Sequence, residues 1–241
     1  MARLTLVRHA TLLVEMADTT LLVDPMLGAP GDIPPIPNSP NDRENPLVPL
    51  PDLDLEYDAV LVTHRHRDHF DDAARERIPD DTPIVCQPAE ADAFREEGFT
   101  DVRPVDDELS FAGIDITRTA ARHGHGDLAE QMAPVSGFVL DAETRLYLAG
   151  DTVWYDAVPE TIDAHDPDAV LVNAGAAQFV EGDPITMDAA DVQAVRDHVN
   201  ADVPVIADHM DSINHCLLTR EDLRDAVDDV VIPEDGETVS L

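Results

Sequence analysis

The chain has 241 residues, 51 of them acidic and 15 basic, for a formal charge of −36. Every basic residue is arginine, so Schiff-base chemistry through an enzyme lysine is excluded. Nucleic acid is not an expected partner, because phosphate neutralisation needs clustered Lys/Arg. Apolar residues make up 44%, enough for a sizeable core.

The acids, 36 aspartates against 15 glutamates, are spread along the chain rather than gathered in a tail. An even coat of like charge suits concentrated salt, which screens the self-repulsion, so a halophilic cytoplasm is the expected setting. The N-terminal MARLTLVRHATLLVEM alternates like strands and lacks the apolar centre of a signal peptide. No apolar run reaches the roughly 18 residues of a membrane span, so no membrane partner is expected. Cys86 and Cys216 do not make a disulfide framework.

In chain order, Leu4 to His9, Thr11 to Met16 and Thr20 to Asp24 read as strands. Residues 28–52 form a loop with eight prolines between Pro30 and Pro51. Such a loop is either an exposed insertion or a wall of the substrate pocket. Asp58 to Thr63 is an apolar run suited to a buried strand, and it ends at His64. A helix is predicted over Phe70 to Arg77, a strand over Pro83 to Cys86, and a helix from Pro88 to Glu97 closing at Gly98. Strands follow at Glu108–Phe111, Ile114–Ala121, Val135–Leu140, Arg145–Ala149 and Ala169–Asn173. A helix over Met187–Val199, a strand over Val203–Asp208 and a helix over Thr219–Val230, capped by Thr219, complete the pattern. Strands dominate the first half and alternate with helices in the second. The pattern predicts two packed sheets with helices outside, in one domain spanning 1–241.

Residues 63–70 read THRHRDHF. In extended chain i and i+2 point the same way, so His64 and His66 can converge on one ion. Asp68 and His69 follow a turn and can face a second. Imidazole and carboxylate are ligands that first-row metals accept. Other candidates stand at predicted strand ends: His123 (with His125 two residues on), Asp151 and His209. A single histidine would be read as a capped or core residue, but together these residues point to a metal site. Asn173-Ala-Gly-Ala-Ala177 is a small-residue turn that is either pocket floor or tight packing. Arg43, Arg65, Arg67 and Arg122 lie near the presumed mouth, although Arg65 and Arg67 alternate with the histidines and are expected to point away.

His64-x-His66-x-Asp68-His69, His123, Gly150-Asp151-Thr152 and His209 together resemble the metallo-β-lactamase superfamily. Arg8-His9-Ala10-Thr11 and Leu22-Val23-Asp24-Pro25 are similar to its ascorbate-6-phosphate lactonase and phospholipase D-like branch. The resemblance implies a four-layer αββα sandwich with two metal ions between the sheets. His64, His66 and His123 would hold one ion, Asp68, His69 and His209 the other, and Asp151 would bridge both. His9 and Asp24 are pocket or supporting candidates, or simply turn residues. No cysteine occupies a motif position, which disfavours antibiotic hydrolysis and leaves zinc first and manganese second as the expected metals.

Two cations about 3.5–4 Å apart lower the pKa of a shared water. The expected activity is attack by that hydroxide on a small ester, lactone or phosphodiester, with Asp68 and His215 as catalytic candidates. The alternatives are a di-iron redox protein or a non-catalytic metal-binding protein on the same fold. Only 32 residues follow His209, too few for a flavin domain. No Gly-x-Ser-x-Gly is present, and Ser136 lies at a predicted strand start. His165 and His198 read as surface residues, and oligomeric state is not legible.

Overall fold

The computed structural model describes residues 2–132 and 134–241. The first half runs β1 (Arg3–Arg8), β2 (Thr11–Met16), β3 (Thr19–Val23), β4 (Ala59–Val62), α1 (Asp72–Arg77), β5 (Ile84–Cys86), α2 (Ala91–Glu96) and β6 (Val102–Pro104). The second runs β7 (Glu108–Phe111), β8 (Ile114–Ala120), α3 (Gly126–Met132), β9 (Ser136–Asp141), β10 (Arg145–Leu148), α4 (Ala157–His165), β11 (Ala169–Asn173), α5 (Ala189–His198), β12 (Val205–Asp208), α6 (Arg220–Ala226), β13 (Val230–Val231) and β14 (Thr238–Ser240). Among the described residues no helix is long and apolar enough to cross a membrane.

Two seven-stranded sheets form, ordered β14-β1-β2-β3-β4-β5-β6 and β13-β12-β11-β10-β9-β8-β7. Alternation along the strands decides how they stack, since successive side chains face opposite sides. Leu4, Leu6, Leu12, Leu21 and Leu61 of one sheet pack with Ile114, Ile116, Phe138, Leu140, Leu148 and Ile206 of the other. The outer face of the second sheet packs Tyr147, Val170, Val172 and Val205 against Val158 and Ile162 of α4, Val192 and Val195 of α5, and Leu223 of α6. The outer face of the first packs Val60, Val62 and Ile84 against Ala74 of α1 and Phe94 of α2. Parallel strands covered on both faces read as continuous apolar runs, which is why β4 and β11 are fully buried. The result is the expected αββα sandwich.

Several boundaries differ from the sequence reading. The first helix starts at Asp72 because the Asp71 side chain caps it, accepting from Ala74 N. The segment from Pro88 begins as a 3₁₀ turn, Pro88–Glu90, before α2. Thr219 does cap α6, in a capping box with Asp222. That helix stops at Ala226 rather than Val230, because Val230 and Val231 pair with Val205 and Ile206 of β12. Helix α4 was missed: Pro159 in its first turn costs no helical hydrogen bond, yet it obscures a periodicity carried only by Val158 and Ile162. Strands β6 and β14 and helix α3 were also missed; β14 pairs with β1 from the far end of the chain.

The proline-rich loop is tied down. The buried Arg8 guanidinium donates to the carbonyls of Val48 (3.0 Å), Gly28 (3.1 Å) and Met26. Burial lowers its pKa to about 10. Asn214 accepts from Ile36 N (3.0 Å) and from Asn45 Nδ2 (2.9 Å) on one oxygen, and its own N–H donates to Asn45 Oδ1 (2.8 Å). Asn41 Nδ2 donates to the Asn214 carbonyl at 2.7 Å. Asn45→Ala should therefore leave a buried N–H without its acceptor and cost about 1–3 kcal/mol. The thermal midpoint should drop by roughly 2–4 °C per kcal/mol at this chain length. An unchanged midpoint in calorimetry would remove the asparagine clamp from the account of this loop.

Candidate metal centre

The candidate residues converge because each stands just past the end of a strand at one rim of the sandwich. β4 delivers His64, and the loop behind it turns when the N–H groups of His69 and Phe70 both donate to the His66 carbonyl at 2.9 Å. β8 delivers His123, β10 Asp151, β12 His209 and β1 His9. The chain must bend sharply there: φ is +60° at His9, +42° at Asp24, +68° at His209 and +66° at Gly150. Left-handed backbone at three non-glycine residues is uncommon and concentrates where function overrides local preference. Glycine is required at two neighbouring points. A Cβ on Gly150 would lie 2.7 Å from the Ser136 carbonyl, and one on Gly175 2.3 Å from the His209 carbonyl. The small-residue turn after β11 is thus tight packing that lets His209 in. His209 N also donates to the His9 carbonyl (3.1 Å), linking the two sheets at the site.

Two groups of potential ligands result. His64, His66, His123 and Asp151 form one, and His9, Asp68, His69 and His209 the other, each with its ligand atoms within 4.8 Å of one another. Asp151 reaches both. Its Oδ2 lies 3.4 Å from His123 Nε2, 3.7 Å from His64 Nε2 and 3.3 Å from His69 Nε2, while its Oδ1 lies 3.3 Å from His209 Nε2. All seven residues expected as ligands are therefore brought together. The structure adds His9, fully buried, with Nε2 3.3 Å from Asp68 Oδ2 and its ring 3.7 Å from that of His209. The signal for His9 was its motif, Arg8-His9-Ala10-Thr11, since one histidine after a strand says nothing by itself. His125 is exposed and stands outside both groups, whereas His123 lies in one of them. His198 pairs with Asp163 on the surface.

A supporting layer orients the rings. His69 Nδ1 lies 2.8 Å from Asp24 Oδ2, and Thr63 holds that carboxylate through its N–H and hydroxyl, both at 2.7 Å. His123 Nδ1 donates to the Ile185 carbonyl (2.8 Å), which leaves the Nε2 lone pair facing Asp151. Asn173 Nδ2 donates to Asp151 Oδ1 at 2.6 Å. Asp24 is thus a supporting residue, not a bare turn.

Burial pushes His9, His64, His66 and His209 below the usual imidazole range, so each offers a lone pair at neutral pH. Burial acts on Asp151 and Asp68 in the opposite sense, but nearby histidines hold both carboxyls well below the usual range. His69 is pushed well up: burial opposes the shift, and Asp151, Asp24 and Asp68 overcome it. Two buried ionised carboxylates among neutral imidazoles call for a positive charge, because isolated buried charge is costly. A proton on His69 and a bound cation answer the same demand. Nδ1 of His9 and both oxygens of Asp208 find no hydrogen-bond partner among the described residues, another mark of polar groups assembled for something besides folding. The donors are nitrogen and oxygen only, a set that suits zinc, manganese or iron.

A cavity of about 180 Å³ opens onto His66, Asp68 and His123, walled by Ile36, Met132 and Phe179. Ile36 belongs to the proline-rich loop, which is therefore a wall of the site. Arg67 and His215 also line the cavity, so the expectation that Arg67 turns away is corrected: past His66 the chain leaves the extended form and alternation no longer applies. Arg65 does turn away, pairing with Glu97 and lying 4.9 Å above the Phe94 ring. Arg122 lies 4.3 Å above Tyr155.

His215 stands outside both ligand groups, 5% exposed, its ring centre 6.1 Å from that of Phe179. Burial pushes its pKa down to about 4. A depressed folded value means that the unfolded chain takes the proton first, so stability falls as pH drops from about 6.5 toward 4. Replacing His215 with Phe should flatten the dependence of the denaturation midpoint on pH across that window. An identical slope in both proteins would contradict the buried neutral imidazole.

Residues 19–213 match the Beta-lactamase superfamily domain. The UPF0173 protein YddR of Bacillus subtilis is 36% identical over 253 aligned residues, 99% of each chain. Among solved structures, a possible metal-dependent hydrolase from Veillonella parvula superposes with a TM-score of 0.94 at 32% identity and covers both chains completely. An isothiocyanate hydrolase from Delia radicum gut bacteria does so with a TM-score of 0.92 at 33% identity over 99% of each chain. Sandwich, strand-end histidines and relatives agree, and the chain belongs to the beta-lactamase superfamily of metal-dependent hydrolases.

Proposed function

We propose that this chain is a two-metal hydrolase of small, neutral electrophiles, with isothiocyanates as the first substrate class and lactones and simple esters as the next. The observation that carries the two-metal reading is Asp151, whose carboxylate reaches both ligand groups: Oδ2 lies near His64 and His123 of one and His69 of the other, and Oδ1 near His209 of the other. His64, His66 and His123 would hold one ion and Asp68, His69 and His209 the other, with Asp151 in reach of both. Zinc suits these donors best, with manganese second. The isothiocyanate reading draws on the likeness to the gut-bacterial enzyme and on a small cavity with apolar walls. A phosphodiester is less well served, because Arg67 is the only cation lining the cavity among the described residues. The charge of −36 and the absence of lysine favour a salt-rich cytoplasm as the setting.

When bound, two such ions lower the pKa of a shared water so that a hydroxide is available near neutral pH. The rest falls to side chains. Asp68, ionised and facing the cavity, orients the water and takes up its proton. His215 enters the cycle neutral, so it serves as acceptor first and returns the proton to the leaving atom afterwards. For an isothiocyanate, water oxygen bonds to the central carbon, the carbon–nitrogen bond breaks, and two protons reach nitrogen. R–N=C=S and water thus give the amine and carbonyl sulfide. Ile36, Met132 and Phe179 keep bulk water off the reacting carbon.

The protein, purified in concentrated salt, should carry two ions per chain and release amine from phenethyl isothiocyanate. His66→Ala should lower bound metal well below two and abolish turnover. His215→Asn should keep both ions and lose about 10²–10⁴-fold in kcat. Full turnover by His66→Ala with unchanged metal content would sink the assignment, and stoichiometric iron with oxygen-dependent turnover would favour the redox alternative.

A further inference from the structure

A second, larger cavity of about 700 Å³ lies beside the first. The two share Met132 and Phe179, so they adjoin at those side chains, with Asp68 and His215 on one side and Leu128 and Val180 on the other. Met132 and Leu128 come from α3, while Phe179 and Val180 come from the loop before α5. That loop is tied on both sides: Gln178 N donates to the His215 carbonyl (2.9 Å) and Val180 N to the Asn38 carbonyl (2.7 Å). The wall of the larger space is therefore held in register with the catalytic candidate and the proline-rich loop. Val180 is 66% exposed, a large apolar side chain left in solvent at the rim.

The chemistry of this lining is one-sided. Four of its residues are apolar, Asn38 and Gln131 are neutral, and Glu181 is the only charged residue among those described there. In a protein of charge −36, a space with one carboxylate and no cation repels an anionic group. Its volume falls within the range of small-molecule sites, which are mostly apolar with a few polar groups.

We propose that this cavity is a specificity subsite that binds an uncharged, apolar substituent of the substrate, while the electrophilic head occupies the smaller cavity over the histidines. The proposal rests on the hydrolytic reading for the position of the head, but not for the presence of the tail site. It narrows the substrate class to neutral compounds with an aryl or alkyl tail, and it disfavours phosphate- or carboxylate-bearing ones.

The test uses the whole protein labelled with ¹³C-methyl methionine, with Met132 assigned through Met132→Leu. Titration with O-methyl phenethylcarbamate, a neutral compound with the same tail, should shift the Met132 methyl resonance saturably. Titration with 3-phenylpropionate should leave it in place. In parallel, the ratio of kcat/KM for phenethyl over methyl isothiocyanate should exceed tenfold and should fall at least tenfold in Leu128→Arg. That variant should also gain a response to 3-phenylpropionate. An unmoved Met132 resonance with the carbamate, or a stronger response to the anion in the unaltered protein, overturns the subsite. So does a kcat/KM ratio near one. A normal carbamate response without turnover of any isothiocyanate overturns the isothiocyanate reading alone and leaves the subsite standing.

Discussion

Ionised carboxylates sealed among buried imidazoles are the constraint on which this structure depends. Asp68 and Asp151 lie almost out of reach of water, and burial on its own would neutralise them. Histidines converging from four strand ends hold them ionised. The cost of burying charge is thereby turned into a demand for cations, and the Asp24–His69 contact shows the demand extending one layer outward. The fully buried carboxyl of Asp208 has no hydrogen-bond partner among the described residues, and burial pushes it well up. Burial also raises Asp24, although it contacts His69, so only the two carboxyls surrounded by several imidazoles are held down.

That arrangement needs precise backbone, which the sandwich supplies. Packed leucine and valine layers fix the strands, so that residues just past their ends cannot drift. Left-handed bends at His9, Asp24 and His209 then aim side chains at a common centre. Such bends persist only where the surroundings over-determine them. The link from His209 N to the His9 carbonyl and the close approach at Gly175 provide part of that support.

The proline-rich loop shows how an element without regular structure becomes part of a site. Its prolines limit the conformations available to the unfolded chain, and Arg8 and three asparagines supply the hydrogen bonds that strands would otherwise make. Asn214 immediately precedes His215, so the residues that anchor the loop also locate the imidazole lining the cavity. Loop, clamp and candidate acid–base residue are thus mechanically one unit.

Much of this was legible locally. Apolar runs marked β4, β11 and β12 because a strand covered on both faces must be apolar throughout. The spacing of His64, His66, Asp68 and His69 carried its meaning in the period of an extended chain followed by a turn. The evenly spread acids were likewise open to reading in one dimension. Other features arise only when distant segments meet. The pairing of β14 with β1, the truncation of α6 by β13, and the Asn45–Asn214 clamp across 169 residues leave no local mark. The place of His9 beside His209, the place of Arg67 in the cavity lining, and the adjacency of the two cavities at Met132 and Phe179 were decided by tertiary structure alone. Sequence determined which chemistry the chain carries, because side-chain type and local period are one-dimensional properties. Tertiary structure decided which of those groups share a volume without water, where proximity and desolvation set their charge.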